Sequence, residues 1–133
     1  MDDHRQAVAR ACLSAAEGNT MTFPQIVGTL MREGFESYAV DFRRNAATYY
    51  LRDGDSIELP MHKVEAGLAE DFDAAAVQAA IQEAQQLLPG YTYAGFCEKV
   101  VSAGCAGYMV SFPGRRAVYF GRTAETHVEH FPR

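Results

Sequence analysis

The sequence lacks a long apolar run, and it contains only three cysteines. A helix that spans a membrane needs about 18 or more apolar residues in succession, and no segment approaches that length. The N-terminus, MDDHRQAVAR, is acidic and has no apolar core of the kind that directs secretion. An odd number of cysteines argues against a disulfide framework and favours a reducing compartment. We therefore predict a cytoplasmic protein without a membrane partner.

Signature motifs of common chemistries are also missing. The sequence has no G-x-x-x-x-G-K-[ST], no G-x-G-x-x-G, no H-E-x-x-H and no G-x-S-x-G. Its cysteines form no CxxC pair, so their spacing does not predict a zinc site. A net charge of -5 provides no general attraction to nucleic acid. We predict neither a metal nor a cofactor, and we do not expect a nucleic-acid partner.

What the sequence does contain is an internal repeat. Residues 22–52, TFPQIVGTLMREGFESYAVDFRRNAATYYLR, align without a gap with residues 92–122, TYAGFCEKVVSAGCAGYMVSFPGRRAVYFGR. Eight of the 31 positions are identical, whereas average composition would give about two. The identical pairs are Thr22/Thr92, Gly34/Gly104, Tyr38/Tyr108, Val40/Val110, Phe42/Phe112, Ala47/Ala117, Tyr49/Tyr119 and Arg52/Arg122. Such a repeat constrains the architecture before any single motif does.

Each copy predicts a helix followed by strands. Apolar residues over 23–31 recur at helical spacing, whereas from Tyr38 the period falls to two, which is typical of a half-buried strand. A strong turn signal at 53–55 then predicts a third strand. A further helix precedes each copy, and in the second of these helices the predicted buried stripe extends to Leu87 and Leu88. The predicted unit is therefore ααβββ.

Two such units fill a single predicted α+β domain over residues 1–133, the first at about 3–60 and the second at about 71–132. A pair of helices cannot bury its apolar face alone. Both units are therefore expected to place their helices on one face of a shared, largely antiparallel six-stranded sheet. A pseudo-two-fold axis should relate the two units.

Two long segments of the chain carry a resemblance to a known family. They read GFESYAVDFRRNAATYYLRDGDSIELP and PGYTYAGFCEKVVSAGCAGYMVSFPGRRAVYFGRTAETHVEHFP, and together they resemble the YbcV-like bacterial family, sometimes labelled phage envelope protein. The resemblance covers nearly the whole chain. It differs at the first hairpin, where Arg43-Arg44-Asn45 replaces the family's Asp-Gly turn. The family is of unknown function, so the resemblance implies no catalytic residue and no virion role.

The repeat provides an internal control for chemistry, because a residue that aligns with a plain hydrophobe is expected to be structural. The three cysteines align in this way: Cys12 with Ile81, Cys97 with Val27 and Cys105 with Phe35. We predict buried, unreactive thiols. Four tyrosines align with one another, and they either line an aromatic pocket or pack across strands. These are Tyr38, Tyr49, Tyr108 and Tyr119.

Two predicted hairpins concentrate positive charge in an acidic chain. Six of the twelve basic residues lie in residues 42–52 and 112–122, which contain no acid. Either these arginines are solvated and protect sheet edges, or they bind an anionic ligand, since guanidinium groups suit phosphate and carboxylate. The candidate ligand-binding residues are Arg43, Arg44, Arg115, Arg116 and Arg122, with the tyrosines Tyr49 and Tyr119.

The C-terminal strand predicted over residues 126–131 contains the remaining candidates. Strand alternation sends Glu125, His127 and Glu129 to one face and Val128 to the other. The apolar Val128 predicts that its own face is the buried one. An imidazole between two carboxylates would be stabilised in its charged form and would suit acid-base chemistry. The alternative is an exposed edge strand protected by charge.

These patterns favour a small soluble binding or interaction module, with an anionic ligand and a homodimeric assembly as the expected partners. The alternative function is a small-molecule enzyme that uses His127 as its acid or base, with Glu125 and Glu129 beside it. A binding module requires only a complementary surface, whereas an enzyme requires a cleft around its base. A deep cavity beside His127 would therefore favour the enzyme.

Overall fold

The structure of the protein is a computed structural model that describes residues 1–132. In this part of the chain, four helices alternate in pairs with two groups of three strands. Their bounds are α1 Asp3–Glu17, α2 Phe23–Arg32, β1 Phe35–Asp41, β2 Ala46–Leu51, β3 Ser56–Pro60, α3 Ala74–Gln86, α4 Tyr93–Ser102, β4 Cys105–Ser111, β5 Arg116–Gly121 and β6 Thr126–His130. We call residues 3–60 the first half and residues 71–132 the second half.

Local sequence signals determine where the helices begin. Thr22 forms a capping box with Gln25, because the Gln25 amide donates to the Thr22 hydroxyl over 3.4 Å and the Thr22 amide donates to the Gln25 side chain over 2.8 Å. Thr92 caps α4 through a single bond from the Gly95 amide. Asp73 caps α3. None of the helices within residues 1–132 is long and apolar enough to cross a bilayer.

The predicted buried stripe of α3 is wrong at its C-terminal end. The helix ends at Gln86, and Leu87 adopts a left-handed conformation with φ 48°. Leu87 is 55% exposed and Leu88 is 43% exposed. The reason is geometric, since a left-handed residue after the last helical turn directs the chain away from the helix axis. Both leucines therefore leave the buried face of α3.

The six strands form one antiparallel sheet in the order β3-β2-β1-β4-β5-β6. The two central strands, β1 and β4, pair with Ala39 opposite Met109, and Ser37 opposite Ser111. The helices pack on one face of this sheet. The predicted α+β class, with helices on one antiparallel sheet, is confirmed.

A row of tyrosines forms the centre of the core on the helix-facing side of the sheet. Tyr38 stacks on Tyr49 with ring centroids 5.4 Å apart, and Tyr108 stacks on Tyr119 at 5.0 Å. Tyr38 and Tyr108 meet edge to face at 6.3 Å across the β1–β4 junction. All four side chains are buried. The row links both halves through aromatic contacts.

The prediction that Val128 faces the core is wrong. Strand β6 pairs His127 with Tyr119, whose ring lies among the helices, and pairs Val128 with Val118 on the opposite side. Val128 is 39% exposed, whereas the His127 side chain is 22% exposed. Because residues paired across two strands share a face, the register with Tyr119 decides the orientation of β6.

Candidate functional site

A groove of about 450 Å³ runs between α1 and the edge strand β3. This volume lies within the range of about 300 to 1,000 Å³ that is typical of small-molecule sites. The groove is lined by Arg10, Leu13, Ser14, Glu17 and Gly18 from the first helix and its end, and by Leu59, Pro60 and His62. We call it the α1–β3 groove.

Helix α1 forms one wall because its lining residues are three, four and seven positions apart. Such residues lie on the same face of a helix. Leu13 and Leu59 are buried and provide an apolar floor, while Arg10 and Ser14 are exposed at the rim. Within residues 1–132, Arg10 takes part in none of the ion pairs. The groove thus combines an apolar base with a guanidinium that no acid of the described chain neutralises.

The far end of the groove contains a carboxylate that is already engaged. The His62 backbone amide donates to Glu17 Oε2 over 2.7 Å, and the imidazole Nδ1 lies 3.6 Å from the same oxygen. The His62 side chain is 84% exposed. Glu17 therefore fixes the backbone of the connector that follows β3, while the His62 imidazole beside it is largely in solvent.

A smaller cavity of about 50 Å³ adjoins the groove and shares Glu17 and His62 with it. Its base includes Cys97 of α4, and its roof is the connector over 61–64. Glu98 holds this connector, because it accepts hydrogen bonds from the Glu65 amide over 2.9 Å and from the Ala66 amide over 2.8 Å. A cavity of this size admits water, but it is far smaller than the roughly 300 Å³ at which small-molecule sites begin.

The thiol at the base of the small cavity is not activated. Cys97 is 3% exposed, and burial raises the pKa of its thiol to about 12. Burial also raises the pKa of Cys105 to about 11. All three cysteines are free and buried, so the prediction of buried thiols is confirmed. A raised pKa keeps Cys97 protonated at neutral pH and argues against a nucleophilic role.

The structure does not bring the two arginine-rich turns together. Because β1 and β4 are antiparallel neighbours, the turns that follow them lie at opposite ends of the sheet. In the first turn, Arg44 is 2.8 Å from Glu58, and Arg43 is 3.5 Å from Asp41 while its guanidinium lies over Phe120. Both arginines of the first turn are thus engaged by acids of the first half.

The second turn contacts backbone rather than acids. Arg115 donates to the Pro132 carbonyl over 3.3 Å, and Arg116 donates to the Gly114 carbonyl over 3.1 Å. Arg122 lies beyond β5, where it donates to the Leu68 carbonyl over 3.2 Å. The two predicted tyrosine ligands lie elsewhere: Tyr49 and Tyr119 are 4% and 7% exposed within the core. Neither tyrosine lines the groove or the small cavity.

The structure brings together two of the three residues predicted around the C-terminal histidine. His127 Nε2 is 3.4 Å from Glu129 Oε2, and the other Glu129 oxygen accepts a bond from Gln85 of α3 over 3.1 Å. Glu125 instead accepts from the Thr123 hydroxyl within the preceding turn. Neither of the two cavities includes His127. Residues 1–132 contain no group of three or more potential metal ligands.

Sequence reasoning missed the groove residues Arg10, Ser14, Glu17 and His62. They lie outside the aligned segments 22–52 and 92–122, where the two copies were compared. The signal in the sequence was the spacing of Arg10, Ser14 and Glu17, which places all three on one face of α1 beside the buried Leu13. Their meeting with His62 depends on tertiary packing, since 45 positions separate Glu17 from His62.

A family model described as protein of unknown function (DUF1398) matches residues 13–129. The chain belongs to this family. No curated protein matches the chain. The matched segment runs from the end of α1 to β6 and includes every lining residue of the α1–β3 groove except Arg10. The family description contains neither the YbcV-like name nor the phage envelope label, so the resemblance to the YbcV-like family stays a prediction.

Proposed function

We propose that the protein is a small binding module and that its ligand site is the α1–β3 groove. The observation that carries this proposal is an amphipathic groove of about 450 Å³ with a buried apolar floor and, at its rim, the Arg10 guanidinium, which forms no ion pair with residues 1–132. Burying apolar ligand surface against Leu13 and Leu59 is favourable. Arg10 then fixes the orientation through a charge-assisted hydrogen bond.

The charges along the groove favour a small amphipathic anion. Arg10 and Glu17 are seven residues apart on α1, which corresponds to about 10 Å along the helix axis. The C-terminal end of a helix also carries partial negative charge, so an anionic group is disfavoured near Glu17. We therefore place the anionic group of the ligand at Arg10 and its apolar part over the two leucines.

Titration with anilinonaphthalene sulfonate tests this site, because this fluorescent probe is itself a small amphipathic anion. Arg10→Ala should weaken its binding about tenfold, since one hydrogen bond to a charged group is lost. Arg52→Ala is the matched control, because Arg52 is exposed and lies outside the groove. Because the probe also binds other apolar surface, the informative quantity is the difference in its affinity between the Arg10→Ala and Arg52→Ala variants. Equal affinity of both variants would contradict the groove as the site.

The arginine-rich turns are a second proposed contact for anionic groups. Arg43, Arg44, Arg115 and Arg116 are exposed, and exposed guanidinium groups suit phosphate or carboxylate. Because the two turns lie at opposite ends of the sheet, each would bind separately. The enzyme alternative is less well supported, since an acid or base needs a cleft and both cavities are lined by residues other than His127.

We also propose that the chain arose by internal duplication and that its halves are related by an approximate two-fold axis that passes between Ala39 and Met109. Three regularities support this. The strands of the second half each begin 70 residues after their first-half counterparts. The strand order reads outward from the centre as β1-β2-β3 on one side and β4-β5-β6 on the other. The β1–β4 register is symmetric about the Ala39/Met109 pair.

The proposed location is the cytoplasm, supported by three cysteines that are buried and unbridged. Fractionation of cells that express the protein tests this location. Its recovery in an oxidising compartment would contradict the proposal.

A further inference from the structure

The two edge strands of the sheet differ in the backbone groups that they expose. Two backbone bonds mark the ends of the β2–β3 ladder. The Leu51 amide donates to the Asp55 carbonyl over 2.8 Å, and the Met61 amide donates to the Asn45 carbonyl over 2.8 Å. Hydrogen-bonded pairs alternate with non-bonded pairs along an antiparallel ladder. The residues of β3 that direct their backbone groups outward are therefore Ser56, Glu58 and Pro60.

The outward edge of β3 is largely blocked. Pro60 has no N–H group to donate. The Ser56 amide already donates to the Asp55 side chain over 2.9 Å. Of the three outward positions, only Glu58 has an N–H without a partner among residues 1–132. Proline and charged side chains are common means of preventing an edge strand from pairing with another chain.

The outward edge of β6 is not blocked. The Gly121 amide bonds to the Glu125 carbonyl over 3.0 Å, and the Phe131 amide bonds to the Arg115 carbonyl over 2.9 Å. By the same alternation, the outward residues are Thr126, Val128 and His130. Each of them has an N–H and a C=O, and none of these groups has a partner within the part of the chain that the structure describes.

The sequence of β6 is complementary to itself about Val128. In an antiparallel pair of two β6 strands centred on Val128, Thr126 lies opposite the partner's His130 and exchanges both backbone bonds with it. His127 lies opposite the partner's Glu129, in a non-bonded pair where side chains approach most closely. An imidazole and a carboxylate, which can form a hydrogen bond, therefore face each other on both sides of the centre.

A shift of the register removes this complementarity. Outward residues face outward residues again only if one strand slips along the other by an even number of residues, and the smallest such slip is two. A slip in one direction places His127 opposite the partner's His127, and a slip in the other places Glu129 opposite the partner's Glu129. Like residues that face each other across strands are unfavourable when charged. The centred register also pairs all three outward residues, whereas either slip pairs only two.

We propose that the protein forms a homodimer by antiparallel pairing of β6 with β6 of a second copy. The two sheets then join into one, with the two-fold axis at Val128. The outward face of the sheet supports the same arrangement, since the exposed Val128 and Met109 lie in one row across β6, β5 and β4. This apolar row continues into the partner across the dimer axis. The β3 edges remain at the two ends of the joined sheet.

Sedimentation equilibrium of the full chain tests the dimer, and the wild type should have twice the monomer mass. Val128→Pro removes the central outward N–H, which an edge strand tolerates because that N–H makes no bond within the chain. This variant should dissociate at least about tenfold more readily, since a hydrogen bond is lost on each side of the axis. Glu58→Pro, at the matching position of β3, should remain dimeric. A monomeric wild type, or a folded Val128→Pro variant that stays dimeric, would overturn the proposal.

Disulfide trapping tests the register and does not require a weakened strand. Residues in a bonded antiparallel pair have Cα atoms about 5.5 Å apart, within the range of about 4.4 to 6.8 Å that a disulfide spans. Oxidised Val128→Cys should therefore form a covalent dimer, whereas Glu58→Cys should not. The native thiols are buried and do not compete. A dimeric Val128→Cys protein that fails to cross-link would overturn the pairing.

Charge exchange provides a final check of the same register. His127→Glu places two carboxylates opposite each other across the axis, so it should weaken the dimer. Adding Glu129→His restores an imidazole opposite each carboxylate, so the double variant should recover dimerisation. Failure of the double variant to recover, with the single variant weakened and both folded, would contradict the centred register.

Discussion

The α1–β3 junction of the first half is an open groove, whereas the α3–β6 junction of the second half is bridged. Gln85 donates to Glu129 across the second junction. At the first junction the residue 70 positions before Glu129 is Leu59, which is buried on the groove floor. Similar elements therefore produce different surfaces through a few side chains. In our proposals, one junction binds a ligand and the other edge pairs with a second copy.

The contacts made by α2 and α4 also differ between the two halves. Phe23 packs edge to face on Phe131 with ring centroids 5.7 Å apart. At the matching place on α4, the Tyr93 hydroxyl bonds to Tyr108 over 2.7 Å, and Glu98 holds the connector. Helix α2 is thus held by apolar packing, whereas α4 is held by polar contacts around the small cavity. Substitutions at positions 70 residues apart can therefore distinguish effects of the backbone geometry that both halves share from effects of side-chain packing in one half.

The largest expected difference concerns the glycines that follow α2 and α4. Gly34 and Gly104 have φ of 89° and 92°, which favours glycine. A Cβ at Gly104 would lie 2.0 Å from the Asp71 carbonyl oxygen, whereas at Gly34 the nearest group is the Arg5 side chain at 3.7 Å. Gly104→Ala should lower the free energy of unfolding by about 3 kcal/mol or more, and Gly34→Ala by about 1 to 2 kcal/mol. Urea denaturation measures both. Equal losses would contradict the packing difference.

The next effect concerns the polar contacts that close the small cavity. Glu98→Ala removes two hydrogen bonds from the connector, which should open about tenfold more often because roughly 1.4 kcal/mol of local stability is lost. The rate at which a thiol reagent labels Cys97 in the native protein reports this opening. Glu65→Ala, in the same connector, is the control and should leave the rate unchanged. A rate that is unaffected by Glu98→Ala would mean that the connector is held by other contacts.

Alkaline pH should weaken the second half through its buried thiol. An ordinary cysteine loses its proton near pH 9, whereas burial raises the pKa of Cys97 to about 12. The stability from the neutral buried thiol is therefore complete below pH 9 and is lost as the pH rises towards 12. The free energy of unfolding should fall by up to about 1.4 kcal/mol per pH unit from this group. Cys97→Val introduces the residue found at Val27, and it should reduce the slope measured by urea denaturation above pH 9. An unchanged slope would contradict the assignment to Cys97.

The smallest effect concerns the two arginine-rich turns. Replacing each exposed pair with serine should change the free energy of unfolding by less than about 0.5 kcal/mol. Arg43 and Arg44 are already paired with acids, whereas within residues 1–132 Arg115 and Arg116 pair with no acid: both donate to carbonyl groups, and Arg115 also lies over the Phe131 ring. Binding of inorganic phosphate at low salt should therefore decrease more in the Arg115→Ser, Arg116→Ser variant. The absence of salt-sensitive phosphate binding by the wild type would leave both turns as solvated edges.

The sequence predicted the elements well where the signal was local. The capping threonines at 22 and 92 and the alternation from Tyr38 determine helix starts and strand faces within a few residues. The orientation of β6 was not predictable in this way, because Val128 follows the register that Tyr119 imposes from another strand. The groove was missed for a related reason, since Arg10 and Leu59 meet only after the sheet has formed.

The central β1–β4 ladder has a consequence for how the protein folds. Every other ladder joins strands that follow each other along the chain, whereas β1 and β4 are separated by β2, β3, α3 and α4. Closing a long loop costs more chain entropy than closing a hairpin, and non-local pairing slows folding. We therefore expect the hairpins of each half to form first and the Ala39/Met109 pair to form late. Hydrogen exchange pulsed during refolding should protect the outer ladders before the central one.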